Sequence, residues 1–282
     1  MITNASAALV EPRGLTIDAL ERNVPAIFAT APDSRVSEGY SFIPTRPLLE
    51  AIVADGWTIT AAQNQMAGRG KSARVKDTGA HLIRFRRADI DITRDDLKDG
   101  YPEILLINSH DRTKRYMLAA GIFRLVCSNG LIIGSHLFQP TRLTHYNVRQ
   151  TQTELIIGAQ AIAAKTTLIM TQMQMMRERE LTEGEQINFA AKAIELRYRG
   201  YATPLKPEAL LNARRPEDEG RSLWRTLNRV QEHLMVGGLS TGRSHTRPMA
   251  SLFEGVGVNQ GLWRIAEEFL VPTLELPLVS NN

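Results

Sequence analysis

Two hydrophobic rhythms divide this chain near residue 150. Before that point, short apolar runs alternate with polar positions at period two or form brief aliphatic stretches bounded by Gly, Asp or Asn. Both patterns read as strands of antiparallel sheet. The runs fall at 39–43, 57–63, 80–86, 103–108, 115–120, 122–127 and 131–137. Between the first two, a helix is predicted over 46–54, with Thr45 as its cap, Pro47 in its first turn and Asp55-Gly56 ending it. Ser128-Asn129-Gly130 separates two apolar runs, and Asn-Gly favours a two-residue hairpin turn because both positions tolerate positive φ.

Past residue 150 the period changes. Leu155, Ala159, Ile162, Thr166, Ile169, Met173 and Met176 recur at alternating spacings of four and three, which aligns them along one long helix over about 151–180. The stripe is expected to face the core, with a subunit contact as the alternative. Thr182-Glu183-Gly184-Glu185 reads as a capping box opening a second helix to about Arg199, with Ile187, Ala191, Ile194 and Tyr198 as its apolar stripe. Further helices are expected at 207–212, 221–236 and 262–269. Residues 237–251, GGLSTGRSHTRPMAS, suggest a mobile Gly/Ser-rich loop, and the tail from Pro272 is expected to fray. The fold class is therefore α+β, with a mostly antiparallel sheet region over 1–150 and a helical region over 151–282.

Composition narrows the function classes. At 282 residues and 43% hydrophobic content, the chain can bury a substantial core, supplied by aliphatic side chains since aromatics make up only 6%. Net charge is +4, and its distribution is uneven: 1–149 hold 19 Lys+Arg against 15 Asp+Glu, while 150–282 hold 15 of each. The single cysteine, Cys127, excludes an internal disulfide and is expected as a small buried hydrophobe. No Cys/His spacing resembles a zinc site, so no metal or cofactor is expected. The first ten residues lack the basic region and apolar core of a secretory signal. No apolar run reaches the roughly 18 residues of a membrane span. A cytoplasmic protein without a membrane partner is the expectation.

Three constellations could carry function. Across 68–89, Arg69, Lys71, Arg74, Lys76, Arg84, Arg86 and Arg87 face only Asp77 and Asp89. The Gly-containing stretch 66–74 reads as a loop between two strands that could mould itself to phosphates, or as a solvated hairpin tip. Gly70-Lys71-Ser72 resembles the end of a phosphate loop, but the required first glycine is Gln65 here, so no nucleotide site is expected. Period two then places Arg84 and Arg86 on an outward face, with His81, Ile83 and Phe85 on the other. That face suits single-stranded nucleic acid, or is an ordinary solvated face whose arginines pair with carboxylates on neighbouring strands. The second constellation is Asn108-Ser109-His110-Asp111, an acid/base or metal candidate with His81 or His136 as possible help, or simply a turn. The third is Arg243-Ser244-His245-Thr246-Arg247-Pro248, with no acid from Arg243 to Phe253, which offers a second phosphate contact or is equally a linker tied down by Pro248 and Leu252. Arg221, Arg225 and Arg229 form one helical stripe, read as a solvated face.

Gly121-Ile122-Phe123-Arg124-Leu125-Val126-Cys127-Ser128-Asn129-Gly130 resembles a family met in phages and plasmids, whose domain is catalogued as of unknown function, number 932. Further segments resemble it too: Tyr40-Ser41-Phe42-Ile43-Pro44-Thr45, Gly56-Trp57, His81-Leu82-Ile83-Arg84-Phe85-Arg86, Arg247-Pro248 and Asn259-Gln260-Gly261-Leu262-Trp263. The resemblance implies a mobile-element setting and transfers no catalytic residue. Together with the charge pattern, it leads to the expectation of a nucleic-acid-binding accessory protein of phage or plasmid, favouring single-stranded DNA in recombination or replication, with homo-oligomers able to form. The expected contacts are Arg69, Lys71, Arg74, Lys76, Arg84, Arg86, Arg243 and Arg247. The alternative is a protein-binding anti-defence or inhibitor protein. A hydrolase using His110 and Asp111 comes third, and an enzymatic role is the weaker expectation.

Overall fold

The computed structural model describes residues 9–11, 13–38, 40, 42–64, 77–90, 100–114, 116–124, 131–132, 141–142, 148–199, 204–242, 244–249 and 252–270. An antiparallel sheet occupies the N-terminal half and helices follow it, as the two rhythms predict. The strands are β1 (Leu9–Val10), β2 (Trp57–Asn64), β3 (His81–Arg87), β4 (Tyr101–Asn108), β5 (Met117–Phe123), β6 (Leu131–Ile132) and β7 (Thr141–Arg142). They lie in the order β1-β2-β3-β4-β5-β6, and β7 also pairs with β5. The helices are α1 (Ile17–Asn23), α2 (Thr45–Ala54), α3 (Val148–Ala164), α4 (Thr166–Glu178), α5 (Glu183–Arg197), α6 (Leu223–Val236) and α7 (Leu252–Leu270). Among the described residues, no helix is long and apolar enough to cross a membrane.

Several local expectations change. The runs at 115–120 and 122–127 do not form separate strands: β5 passes through Gly121 without a turn. No strand forms among the described residues of 39–43. The Ser128-Asn129-Gly130 turn and Cys127 lie outside the described residues, as does the tail from Pro272. Pairing of Ile122 with Leu131 nevertheless makes β5 and β6 antiparallel neighbours. The long helix is interrupted at Lys165, which separates α3 from α4.

The contacts divide the chain into two compact units, Met1–Met170 with Met249–Gly257, and Thr171–Pro248 with Val258–Asn282. In the first unit, one sheet face carries Trp57, Ile59, Ala62, Ile83, Phe85, Ile104, Leu106 and Leu118. These residues pack with Leu20 of α1, Leu48, Leu49 and Ile52 of α2, and Leu155 and Ala159 of α3. Strict alternation from Trp57 would put Ala62 on the wrong face. The register shifts between Ile59 and Ala61, and this irregularity turns Ala62 and Asn64 back to the side of Trp57. The second face carries Leu82, Tyr101, Leu105, Ile107, Ala119 and Phe123 together with Val256, and it is buried too.

The second unit is built around α6. Ser222 caps it, its side chain accepting from the Arg225 amide, and Gly237 at φ +71° ends it. Its buried residues include Leu223, Leu227, Val230 and Leu234, but also Asn228, Arg229, Gln231, Glu232 and His233. The capping box of α5 forms as predicted, with the Glu185 carboxylate accepting from the Thr182 amide and Thr182 Oγ1 accepting from the Glu185 amide. The buried face of α5 differs from the predicted stripe: Gln186, Phe189, Ala190, Ala193 and Ile194 are buried and Ala191 is exposed. The rotation seats Phe189 against Phe269 and brings Gln186 to Arg229. The described part of 237–251 is an irregular loop that holds a few backbone hydrogen bonds. Gly238 donates to the Thr246 carbonyl, Thr246 to Leu239 and Thr241 to Ser244, and Ser240 bridges His245.

Candidate functional site

Arg84 and Arg86 stand where period two puts them, beside Leu82 and away from Ile83 and Phe85, but that face is not solvated. Their exposures are 7% and 6%, and that of Glu103 is 2%. The expectation of an outward basic face is corrected, because this sheet has both faces covered. Arg84 Nε donates to Glu103 Oε2 at 2.6 Å, and Arg86 Nη1 lies 3.9 Å from Glu103 Oε1. Each guanidinium also lies over an aromatic ring: Arg84 is 3.4 Å from the Phe123 centroid, and Arg86 is 5.4 Å from that of Tyr101. One carboxylate therefore serves two arginines in a site walled by rings. A Cβ on Gly121 would lie 2.7 Å from the Phe123 ring and 2.8 Å from Leu105 Cδ1. The glycine leaves the room in which Phe123 folds back under Arg84.

The other face ends in a neutral network around Thr45. Thr45 is not the side-chain cap of α2. It is the first helical residue after Pro44, and its hydroxyl is turned inward. His81 Nε2 lies 3.0 Å from Thr45 Oγ1, while His110 Nε2, Tyr116 Oη and Asn108 Nδ2 each lie at 3.1 Å. Proton accounting assigns the donors. His81 Nδ1 faces the Gly79 carbonyl at 3.1 Å and so carries the hydrogen, leaving Nε2 to accept from Thr45. Thr45 then has no proton for His110, whose Nε2–H donates to it, as does the Asn108 amide. Tyr116 donates to the Ile43 carbonyl at 2.8 Å. All five side chains belong to fully buried residues. Burial pushes the His81 imidazole down from 6.5 to about 4, against opposing effects of the Gly79 bond and Asp111, and burial raises the Tyr116 phenol.

Neighbouring segments fix His110 in place. Its amide donates to the Thr78 carbonyl, and its carbonyl accepts from the Asp33 amide. Phe42 lies against its ring at 5.0 Å. Asp33, held well below the usual carboxylate range chiefly by its bond to Arg35, also accepts from Thr78 Oγ1. Asp111 does not form a dyad with His110. Its Oδ1 accepts from the amide and hydroxyl of Thr113, closing a turn in which Arg112 adopts φ +64°.

Three of the segments singled out by resemblance contribute to these clusters: 40–45 and 81–86 bring Thr45 and His81 together, and 81–86 and 121–130 bring Arg84 and Phe123 together. A family model described as a domain of unknown function, DUF932, matches residues 33–263. The chain belongs to the DUF932 family. It is similar to the UPF0380 proteins YafZ and YfjQ of Escherichia coli (strain K12), each 33% identical over 264 residues that cover 92% of both chains. No solved structure matches it.

The chemistry open to this DUF932 chain at the Thr45 network is limited. A hydroxyl beside an imidazole resembles an activated nucleophile, yet two further donors occupy the Thr45 oxygen and lower its electron density. Two imidazoles fall short of the three or four protein ligands of a zinc site, and no group of three or more metal-ligating side chains converges among the described residues. His136 lies outside the described residues.

Arg69, Lys71, Arg74, Lys76 and Arg243 lie outside the described residues. Arg247 is exposed, and its carbonyl accepts from Arg197 Nη2 at 2.6 Å. Of the expected basic helix stripe, Arg221 and Arg225 are exposed. Arg229 is buried and bonded to Gln186 and Thr226, so the stripe is not a solvated face throughout. Sequence reasoning missed Glu103, Tyr101, Thr45 and Tyr116 as members of the clusters. A lone glutamate inside the apolar run Tyr101–Asn108, one residue before Ile104, which pairs with Phe85, was the available signal.

Proposed function

We propose that this chain is a nucleic-acid-binding accessory protein, favouring single-stranded DNA, in the replication or recombination of a phage or plasmid. The observation carrying this reading is the pairing of Asn64 with His81 at one end of β2 and β3. It makes residues 65–80 the connection of a hairpin, and within that connection Arg69, Lys71, Arg74 and Lys76 precede the first acid, Asp77. Arg84 and Arg86 drop out as phosphate contacts, since each shares Glu103. Their part in this reading is to stiffen the strand that carries the connection. Arg243 and Arg247 supply a second contact in the same reading. Phosphate binding of this kind releases counterions and falls steeply with salt.

The test is binding of the purified chain to labelled single- and double-stranded DNA across a salt series, beside the variant R69E/K71E/R74E/K76E. Salt-sensitive, single-strand-preferring binding that the quadruple variant loses supports the proposal. Absence of binding at the lowest salt overturns it and directs the search to a protein partner.

A further inference from the structure

Arginines of the second unit meet their surroundings in different ways. Arg179, Arg215 and Arg221 face carboxylates, those of Glu185, Glu232 and Glu180 respectively. Arg197 and Arg214 do not: among the described residues, each donates to a backbone carbonyl and pairs with no acid. Arg197, the last residue of α5, donates through Nη2 to the Arg247 carbonyl at 2.6 Å. Arg214 donates through Nη2 to the Gly237 carbonyl at 2.5 Å. The two acceptors belong to backbone in close contact, since a Cβ on Gly237 would lie 2.6 Å from the Arg247 carbonyl carbon. The glycine that ends α6 thus lets the chain cross itself closely, and both guanidinium groups are held at that crossing.

Charge is not offset along the chain there either. No acid occurs from 233 to 253, and Arg247 is itself exposed. A carboxylate partner would cancel a guanidinium charge, whereas a carbonyl orients the group and leaves its charge in place. Cations gathered without a counter-charge repel one another, and a multivalent anion relieves that repulsion. We propose that Arg197, Arg214 and Arg247 form a phosphate-binding site at the base of the 237–247 stretch. The planar fork of arginine matches phosphate oxygens, and two of the three forks are already fixed by their carbonyl bonds. The phosphate has two sources, a nucleic-acid strand or a small polyphosphate, and the site chemistry is the same for both. Only the first source rests on the nucleic-acid reading, to whose second contact this inference adds Arg197 and Arg214.

The test is calorimetric titration of the full chain with inorganic tripolyphosphate at low salt, beside fluorescence anisotropy with labelled single-stranded DNA across a salt series. Glutamine removes the charge and keeps a hydrogen-bond donor; lysine keeps the charge and loses the fork. R197Q/R214Q, with its circular dichroism intact, is expected to weaken tripolyphosphate binding about tenfold or more. R197K/R214K should retain most of the affinity, and R221Q, which alters a carboxylate-facing arginine, all of it. A parallel loss of DNA binding, with a salt slope shallower by about 2, assigns the phosphate to a strand. Tripolyphosphate binding without any DNA binding keeps the site for a small polyphosphate and overturns the nucleic-acid reading alone. No tripolyphosphate binding by the unmodified chain overturns the proposal, as does an equal loss in R221Q or in the lysine pair. Should the glutamine pair unfold, R247Q leaves both carbonyl bonds in place, and unchanged tripolyphosphate binding there overturns the site.

Discussion

The Glu103 cluster and the Thr45 network sit on opposite faces of the same strands, and each gathers polar groups that water would otherwise solvate. They meet that cost differently. Glu103 offsets buried charge with charge, and the rings of Phe123 and Tyr101 complete the enclosure. Thr45 joins neutral donors and acceptors, and its histidines are seated with opposite tautomers so that each hydrogen has one destination. A charged cluster fails abruptly when its counter-charge is lost. A neutral network loosens one bond at a time and becomes sensitive to protons at its imidazoles.

The strongest way to break this comparison is Glu103→Gln. It leaves two buried guanidinium groups without their shared carboxylate and is expected to cost about 3–5 kcal/mol in urea unfolding. A loss below about 1 kcal/mol would mean that the arginines reach water. Next comes acid. Unfolded His81 takes up its proton near its ordinary value of 6.5, whereas the folded residue stays neutral down to about 4. The unfolded state therefore binds more protons in that window, and stability is lost as pH falls through it, by up to about 3 kcal/mol. His81→Gln should flatten that slope; an unchanged slope would assign it to another group. Thr45→Val keeps the shape of the network and removes its centre, with an expected loss of about 2 kcal/mol, while Thr45→Ser should retain most of the stability. Gly121→Ala is the gentlest perturbation of the charged side, at about 1–3 kcal/mol, because the Phe123 ring must shift under Arg84. A neutral outcome there would show that the ring and the guanidinium are not tightly stacked.

The sequence was informative where pattern alone decides structure. The strands at 57–64, 81–87 and 101–108, the α5 capping box and the core stripe of α3 and α4 all follow from spacing. The faces on which Arg84 and His81 lie were equally readable. What spacing did not convey was cover. Whether a sheet face meets water depends on segments distant in sequence, and Val256 packs on the Arg84 side more than 130 positions further along the chain. Thr45 misled for a related reason. A threonine after proline at a helix start is a good cap by local rules, but three hydrogen-bonding partners from other strands and turns compete for its hydroxyl and win. Arg112 and the Asp111 turn show the converse, a His-Asp dipeptide whose acid is used locally.

One property of Thr45 extends to how the chain acquires its structure. Its partners His81, Asn108 and His110 lie 36, 63 and 65 residues away. Bringing together groups so distant carries a loop-closure cost that no local turn can offset early. The network is therefore a late event, assembled once β3, β4 and β5 are already in register. Substitutions at Thr45 should speed unfolding and leave the refolding rate nearly unchanged, so this hydroxyl acts as a latch on the finished fold, governing its lifetime and not its formation.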